Sequence, residues 1–135
     1  MLREVLYNNT SVPILKRGID AFADRQRAIA SNIANIEVKG YERKTVVFEE
    51  LLKQAFGDKA AGLSASRQNH IPIQMDPKEV RHMIKISNDD SESSGVNDVD
   101  IEREMSDLAT NQIQYDLTAR KLKGYFNKIK KLARS

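Results

Sequence analysis

The chain has 135 residues, room for one domain, with 40% hydrophobic and 30% charged residues and neither cysteine nor tryptophan. That composition excludes a disulfide framework, a thiolate metal site and a cysteine nucleophile, and it argues against a large apolar core. The net charge is +3, and apolar runs such as Val46-Val47-Phe48 are far too short to span a bilayer.

The opening residues, Met1-Leu2-Arg3-Glu4-Val5, lack the apolar run of a cleavable secretory signal, and Leu2, Val5 and Leu6 suit one short helical turn. From Val12 a 3-4-3-4 spacing selects Leu15, Ile19, Phe22, Gln26, Ile29, Ile33 and Ile36. This pattern predicts a helix with a narrow heptad seam, interrupted only by Gln26. Ser11 is placed to cap it, Pro13 fits its first turn, and Gly40 is the expected stop.

The middle is harder to read. Val47, Leu51, Leu52, Ala55 and Phe56 suit a short amphipathic helix ending near Gly57, and residues 57–70 read as a loop. Asp76-Pro77-Lys78-Glu79 resembles a helix start, whereas Val80, His82, Ile84 and Ile86 alternate like a strand, and the pattern leaves both open. Residues 87–97 are polar, with turn-forming residues over Ser91-Glu92-Ser93-Ser94-Gly95.

A second heptad seam runs Ile101, Met105, Leu108, Gln112, Tyr115, Ala119, Leu122, Phe126, Ile129 and Ala133. Asp98 or Asp100 can cap this helix, and Gly124 weakens it by about 1 kcal/mol relative to alanine. Charge is segregated along it. Residues 89–107 carry eight acids and one base, whereas residues 120–135 carry seven bases and no acid. Such a distribution complements the helix macrodipole.

The expected fold is therefore mainly α, with N- and C-terminal helices paired as an antiparallel coiled coil around a loop-rich, partly ordered middle. Each seam residue contributes roughly 1.5–3 kcal/mol when fully buried. Two narrow stripes make a thin core, and flanking residues such as Ile113 and Leu117 call for neighbouring subunits to cover them. In an antiparallel pair Gln26 and Gln112 fall at one level and are expected to be neighbours. The boundaries read as 1–40 for the N-terminal helical segment, 41–97 for the variable middle and 98–135 for the C-terminal helix.

Little in the chain suggests catalysis. His70 and His82 stand in no metal-ligand spacing, the glycines form no phosphate loop, and Asp90 to Gly95 fails as a calcium loop because Ile101 occupies the twelfth position. No catalytic, cofactor-binding or metal-binding residues are assigned, and no enzyme activity or cofactor is expected. A different class, a basic-tail module for nucleic acid or anionic membrane, would use Lys121, Lys123, Lys128 and Lys130. It leaves the paired seams unexplained.

The most informative run is Ala30-Ser31-Asn32-Ile33-Ala34-Asn35, followed by Gly40-Tyr41. It places two asparagines three apart at a helix end, beside small residues that permit close packing. Continued through Ile36-Glu37-Val38-Lys39-Gly40-Tyr41-Glu42-Arg43, the segment resembles the N-terminal signature of bacterial flagellar rod and hook proteins. Val47-Phe48-Glu49-Glu50-Leu51-Leu52, the pair His70-Ile71, the opening Val99-Asp100-Ile101-Glu102-Arg103-Glu104-Met105 and the run Asn111-Gln112-Ile113-Gln114-Tyr115 narrow the resemblance to the short proximal-rod type. The likeness covers roughly residues 11–56 and 96–133. One departure is Val38-Lys39, where the family usually has Thr-Pro or a similar pair. The other short proximal-rod type is the nearest alternative, but it usually carries a different C-terminal pattern.

The resemblance implies a structural subunit of the flagellar basal body that polymerises around an export channel and passes torque from membrane ring to distal rod and hook. It implies export without a cleaved signal into the periplasmic rod. The implied partners are the subunit itself, other rod proteins, the adaptor joining rod to membrane ring, and the export gate and membrane ring at the rod base. Neither nucleic acid nor a small-molecule substrate is among them. Asn32, Ile33, Ala34, Asn35, Gly40 and Tyr41 are the implied assembly residues.

Overall fold

Val12–Ala34 forms the first long helix, α1, in the computed structural model, which describes residues 11–61, 76–86 and 97–134 and the backbone alone for 58–61. Strand β1 (Lys44–Val47), helix α2 (Glu49–Ala61), strand β2 (Met83–Ile86) and helix α3 (Ile101–Leu132) follow. Contacts between the two long helices dominate the fold, and their pairing is antiparallel: Phe22 meets Asn111, and Asn32 meets Glu104. The mainly helical hairpin expected from the sequence is thus present. No described helix is long and apolar enough to cross a membrane. The expected turn at Leu2, Val5 and Leu6, and His70-Ile71, lie outside the described residues.

Several expected ends move. Ser11 occupies the cap position of α1 but makes no side-chain capping bond, while Pro13 sits in the first turn as expected. Helix α1 stops at Ala34, six residues before Gly40: the Asn35 side-chain Nδ2 donates to the Ser31 carbonyl (2.7 Å), while its backbone N–H turns to the Asn32 and Ile33 carbonyls and closes the last turn. Ile36 therefore lies beyond the helix. The chain continues through turns bonding Val38 N–H to Asn35 O and Tyr41 N–H to Val38 O. Gly40 adopts φ +73°, a left-handed conformation that side chains with a Cβ rarely take. At the start of α3 the Asp100 carboxylate accepts from the Glu102 and Arg103 amides, leaving Asp98 for another task.

The middle resolves the earlier ambiguity in favour of a turn followed by a strand. The Asp76 side chain accepts from the Lys78 amide at 3.0 Å and its carbonyl from Glu79, so residues 77–79 turn rather than begin a helix. Strand β2 pairs antiparallel with β1, Lys44 opposite Ile86 and Val47 opposite Met83. Sequence reading missed β1 because Lys44–Val47 is too short for a visible alternation. Helix α2 begins after Val47 and runs through Gly57 to Ala61, past its expected end.

The apolar core is small. Ala21, Phe48, Ala55 and Val80 form its centre, with Leu51 and Leu52 packed against it. It lies between α1 and the β1–α2 link. A Cβ added at Gly18 would lie 3.7 Å from Phe22, Phe48 and Thr118 alike, which marks where α1, α3 and that link approach most closely.

Gly40→Val is expected to lower stability by about 1–3 kcal/mol in urea denaturation, because a β-branched residue is strained at positive φ. No atom crowds that position, so Gly40→Asn, which tolerates the same conformation, should retain most of the stability. Equal losses in the two variants would show that backbone strain is not the cause.

Candidate functional site

The end of α1, strand β1 and the start of α3 meet in a polar joint, and Asn32 is its centre. The side chain is wholly buried. Its Oδ1 accepts from the Lys44 amide (2.9 Å), and its Nδ2 donates to the Lys44 carbonyl (2.8 Å). The side-chain amide thereby pairs with β1 as a neighbouring strand would. Its second N–H donates to Glu104 Oε2 (3.0 Å), and Oδ1 also accepts from the Tyr41 hydroxyl (3.1 Å), which lies 2.9 Å from Ser31 Oγ. All four hydrogen-bonding positions of the amide are used. Aspartate would supply no donor, and glutamine would place the amide one methylene too far.

Glu104 carries the joint across to α3. It too is wholly buried, with Oε1 2.5 Å from Arg43 Nε. Arg43 also reaches Asp107 Oδ2 (3.0 Å), and its backbone N–H donates to Asp98 Oδ1 (2.9 Å). Removing either member of a buried pair leaves an uncompensated charge, the costly case in a water-poor interior. Asn97 ties down the segment after α1: its Nδ2 lies within 3.0 Å of the carbonyl oxygens of Asn35, Ile36 and Val38, and its Oδ1 accepts from the Val99 amide. A side chain 59 residues further along the chain thus holds the turn through Val38.

Seven residues before Asn32, Arg25 performs a parallel role. Its guanidinium donates to the Val46 carbonyl (3.0 Å), to both Glu49 carboxylate oxygens and to Gln114 Oε1 (3.3 Å). Lys44 and Val46 turn the same backbone edge towards α1, so Arg25 and Asn32 together close the side of β1 that β2 does not pair. Burial opposes ionisation of Glu49, but the hydrogen bonds and charge of Arg25 outweigh it and hold that carboxyl below its ordinary value.

The expected assembly residues separate into two groups. Asn32, Asn35 and Tyr41 are in the joint, while Ile33 is half-buried and Ala34 and Gly40 are exposed. The two seams fare differently from expectation. On α1, Phe22 and Ile29 are buried, Leu15, Ile19 and Ile33 half-buried, and Gln26 exposed. On α3, Leu108, Tyr115, Leu122 and Ile129 are half-buried, whereas Ile101, Met105, Gln112 and Phe126 are exposed. The face that α3 turns to α1 is instead the heptad line Glu104, Asn111 and Thr118, one residue ahead of the seam positions Met105, Gln112 and Ala119. Asn111 Nδ2 donates to the Phe22 carbonyl (2.9 Å), while its Oδ1 is buried without a partner, at a cost of about 1–3 kcal/mol for such an atom. Gln26 and Gln112 do not bond each other. Both are exposed, and Gln112 donates to Asp116 (3.2 Å).

Sequence reading therefore missed Arg25, Arg43, Asn97, Glu104 and Asn111. Glu104, Asn111 and Thr118 did carry a signal, since they repeat at seven-residue spacing. The partners of Arg43 and the carbonyls that Asn97 Nδ2 bonds lie 55 to 64 residues away and left no local trace. His82 pairs with Asp24 at 2.6 Å. Among the described residues no group of His, Asp and Glu is placed to hold a metal ion. A cavity of about 350 Å³ beside the joint is bordered by Arg25, Glu49, Asp107 and Asn111, side chains that already serve the joint.

A helical hairpin locked by a polar joint is a structural framework, and its sequence relatives are structural proteins of the flagellum. No family model matches the chain. Among curated proteins it is similar to the flagellar basal body rod protein FlgB of Bacillus subtilis strain 168, 33% identical over 78% of this chain and 79% of the relative. FlgB of Escherichia coli K12 is 31% identical over 76% and 77%, respectively, and FlgB of Borreliella burgdorferi is 29% identical over 88% and 92%. The chain belongs to the FlgB family of flagellar basal body rod proteins.

Two outcomes test the joint. Arg43→Met should destabilise by about 3–5 kcal/mol by stranding Glu104, and Arg43→Met/Glu104→Leu should recover much of that loss in denaturant titrations. A double variant weaker than the single one would show that the ion pair is not the determinant. Because the Glu49 carboxyl is depressed in the folded state, its stabilisation is present above its ordinary titration range and is lost as pH falls through the folded value. The melting-temperature difference between the native chain and Glu49→Gln should therefore be present at pH 7 and vanish in acid.

Proposed function

We propose that this chain is a subunit of the flagellar proximal rod, polymerising around the export channel and passing torque from membrane ring to distal rod and hook. The observation that carries this reading is the polar joint. It sets the direction of the segment leaving α1 against both long helices through Asn32, Arg43, Asn97 and Glu104. A torque-bearing subunit needs that angle fixed, and saturated hydrogen bonds fix geometry more sharply than non-directional apolar packing does.

In this reading, segments 1–40 and 98–135 form the inner rod domain and segment 41–97 the variable middle region. Asn32, Ile33, Ala34, Asn35, Gly40 and Tyr41 shape the path between them. The subunit is structural rather than enzymatic. It reaches the periplasmic rod through the export apparatus without a cleaved signal, and contacts itself, other rod proteins, the ring adaptor and the export gate.

Electron cryo-tomography of the source bacterium with this gene deleted should show membrane rings and export apparatus without a rod. Intact rods in that strain would overturn the proposal.

A further inference from the structure

The face that α3 turns to α1 weakens step by step away from the joint. At Glu104 both carboxylate oxygens are engaged, by Arg43 and Asn32. One heptad on, Asn111 reaches the Phe22 carbonyl alone, and its Oδ1 is sealed from solvent without a partner. A further heptad on, Thr118 turns its hydroxyl back to the Gln114 carbonyl of its own helix (2.8 Å) and faces Gly18, which has no side chain to meet it.

Asn111 is the anomaly in this series. A buried amide with an idle acceptor destabilises the state that buries it, and it regains its hydration once the helices part. Register does not require it: a polar residue in a helix seam can fix register, but the bonds of Glu104 to Asn32 and Arg43 already set it seven residues away. The Phe22 carbonyl does not require it either, since it lies inside α1, where the helix ladder supplies a donor. An apolar side chain would also fit, because Asn111 borders the cavity of about 350 Å³ together with Ala28, Ile29 and Val46.

We propose that Asn111 is a release point, held in the hairpin because it lowers the cost of parting α1 from α3. Separation then begins at the end of the hairpin away from the joint, where the facing side chains bind least. The proposal rests on the rod reading, in which the folded hairpin has to part to enter the export channel. It assigns to one residue the ease with which that happens.

Hydrogen exchange of the purified full-length chain, with its melting temperature, tests this. In Asn111→Leu the α1 amides from Leu15 to Phe22 should exchange about tenfold more slowly and the melting temperature should rise, because the idle acceptor is gone. Asn111→Ala adds no volume and should at least keep the native melting temperature, whereas truncating a fully satisfied buried side chain would lower it. In cells carrying the gene only as a variant, the leucine chain should be exported more slowly and accumulate in the cytoplasm. Loss of stability in both variants, or a more stable leucine variant exported at the native rate, would overturn the proposal. Rods in the full deletion would instead overturn the rod role, and the exchange rates would be unaffected by that result.

Discussion

The fold depends on one saturated side-chain amide. Asn32 pairs with both backbone groups of Lys44 while holding Tyr41 and Glu104, so three separate pieces of chain meet at a single residue. Its burial is favourable only with every donor and acceptor engaged, because a buried amide lacking partners is strongly penalised. This all-or-none requirement gives the joint its definition. If β1 slipped by one residue, it would turn the wrong backbone edge towards α1 and leave Asn32 and Arg25 unsatisfied together.

The same requirement explains the rotation of the long helices. Apolar seams alone would have set Met105 and Gln112 facing α1. The structure instead places Glu104 and Asn111 there, because Glu104 has no other route to Arg43 and Asn32. Directional bonds decide the azimuth, and the apolar residues take the positions that remain. Apolar burial is concentrated elsewhere, around Phe48 and Val80, where the β1–α2 link covers α1.

The sequence made the long helices legible because a heptad pattern sustained over many turns outweighs local accidents; it left the cap of α3 between Asp98 and Asp100, and the structure uses Asp100. It did not reveal β1, whose four residues show no usable period, nor the early stop of α1, which depends on the Asn35 side chain bonding back to Ser31. The Asn-Ile-Ala-Asn run was visible as a motif, but its use of Asn32 as a substitute strand edge was not, since Lys44 is twelve residues away. Glu104 stood in plain view as one of a cluster of acids. Its burial is a property of the position of Arg43, which periodicity does not encode.

The joint is also assembled from distant stretches of chain. Asn32 and Glu104 are 72 residues apart, and Asn97 closes on carbonyls about 60 residues before it. Contacts of such separation form only after a long loop has closed, an entropic step that local structure cannot avoid. On a ribosome, α1 and β1 therefore emerge well before the carboxylate that locks them. The nascent chain waits with Asn32 unpartnered on its helix side, and the joint becomes available only near the end of synthesis.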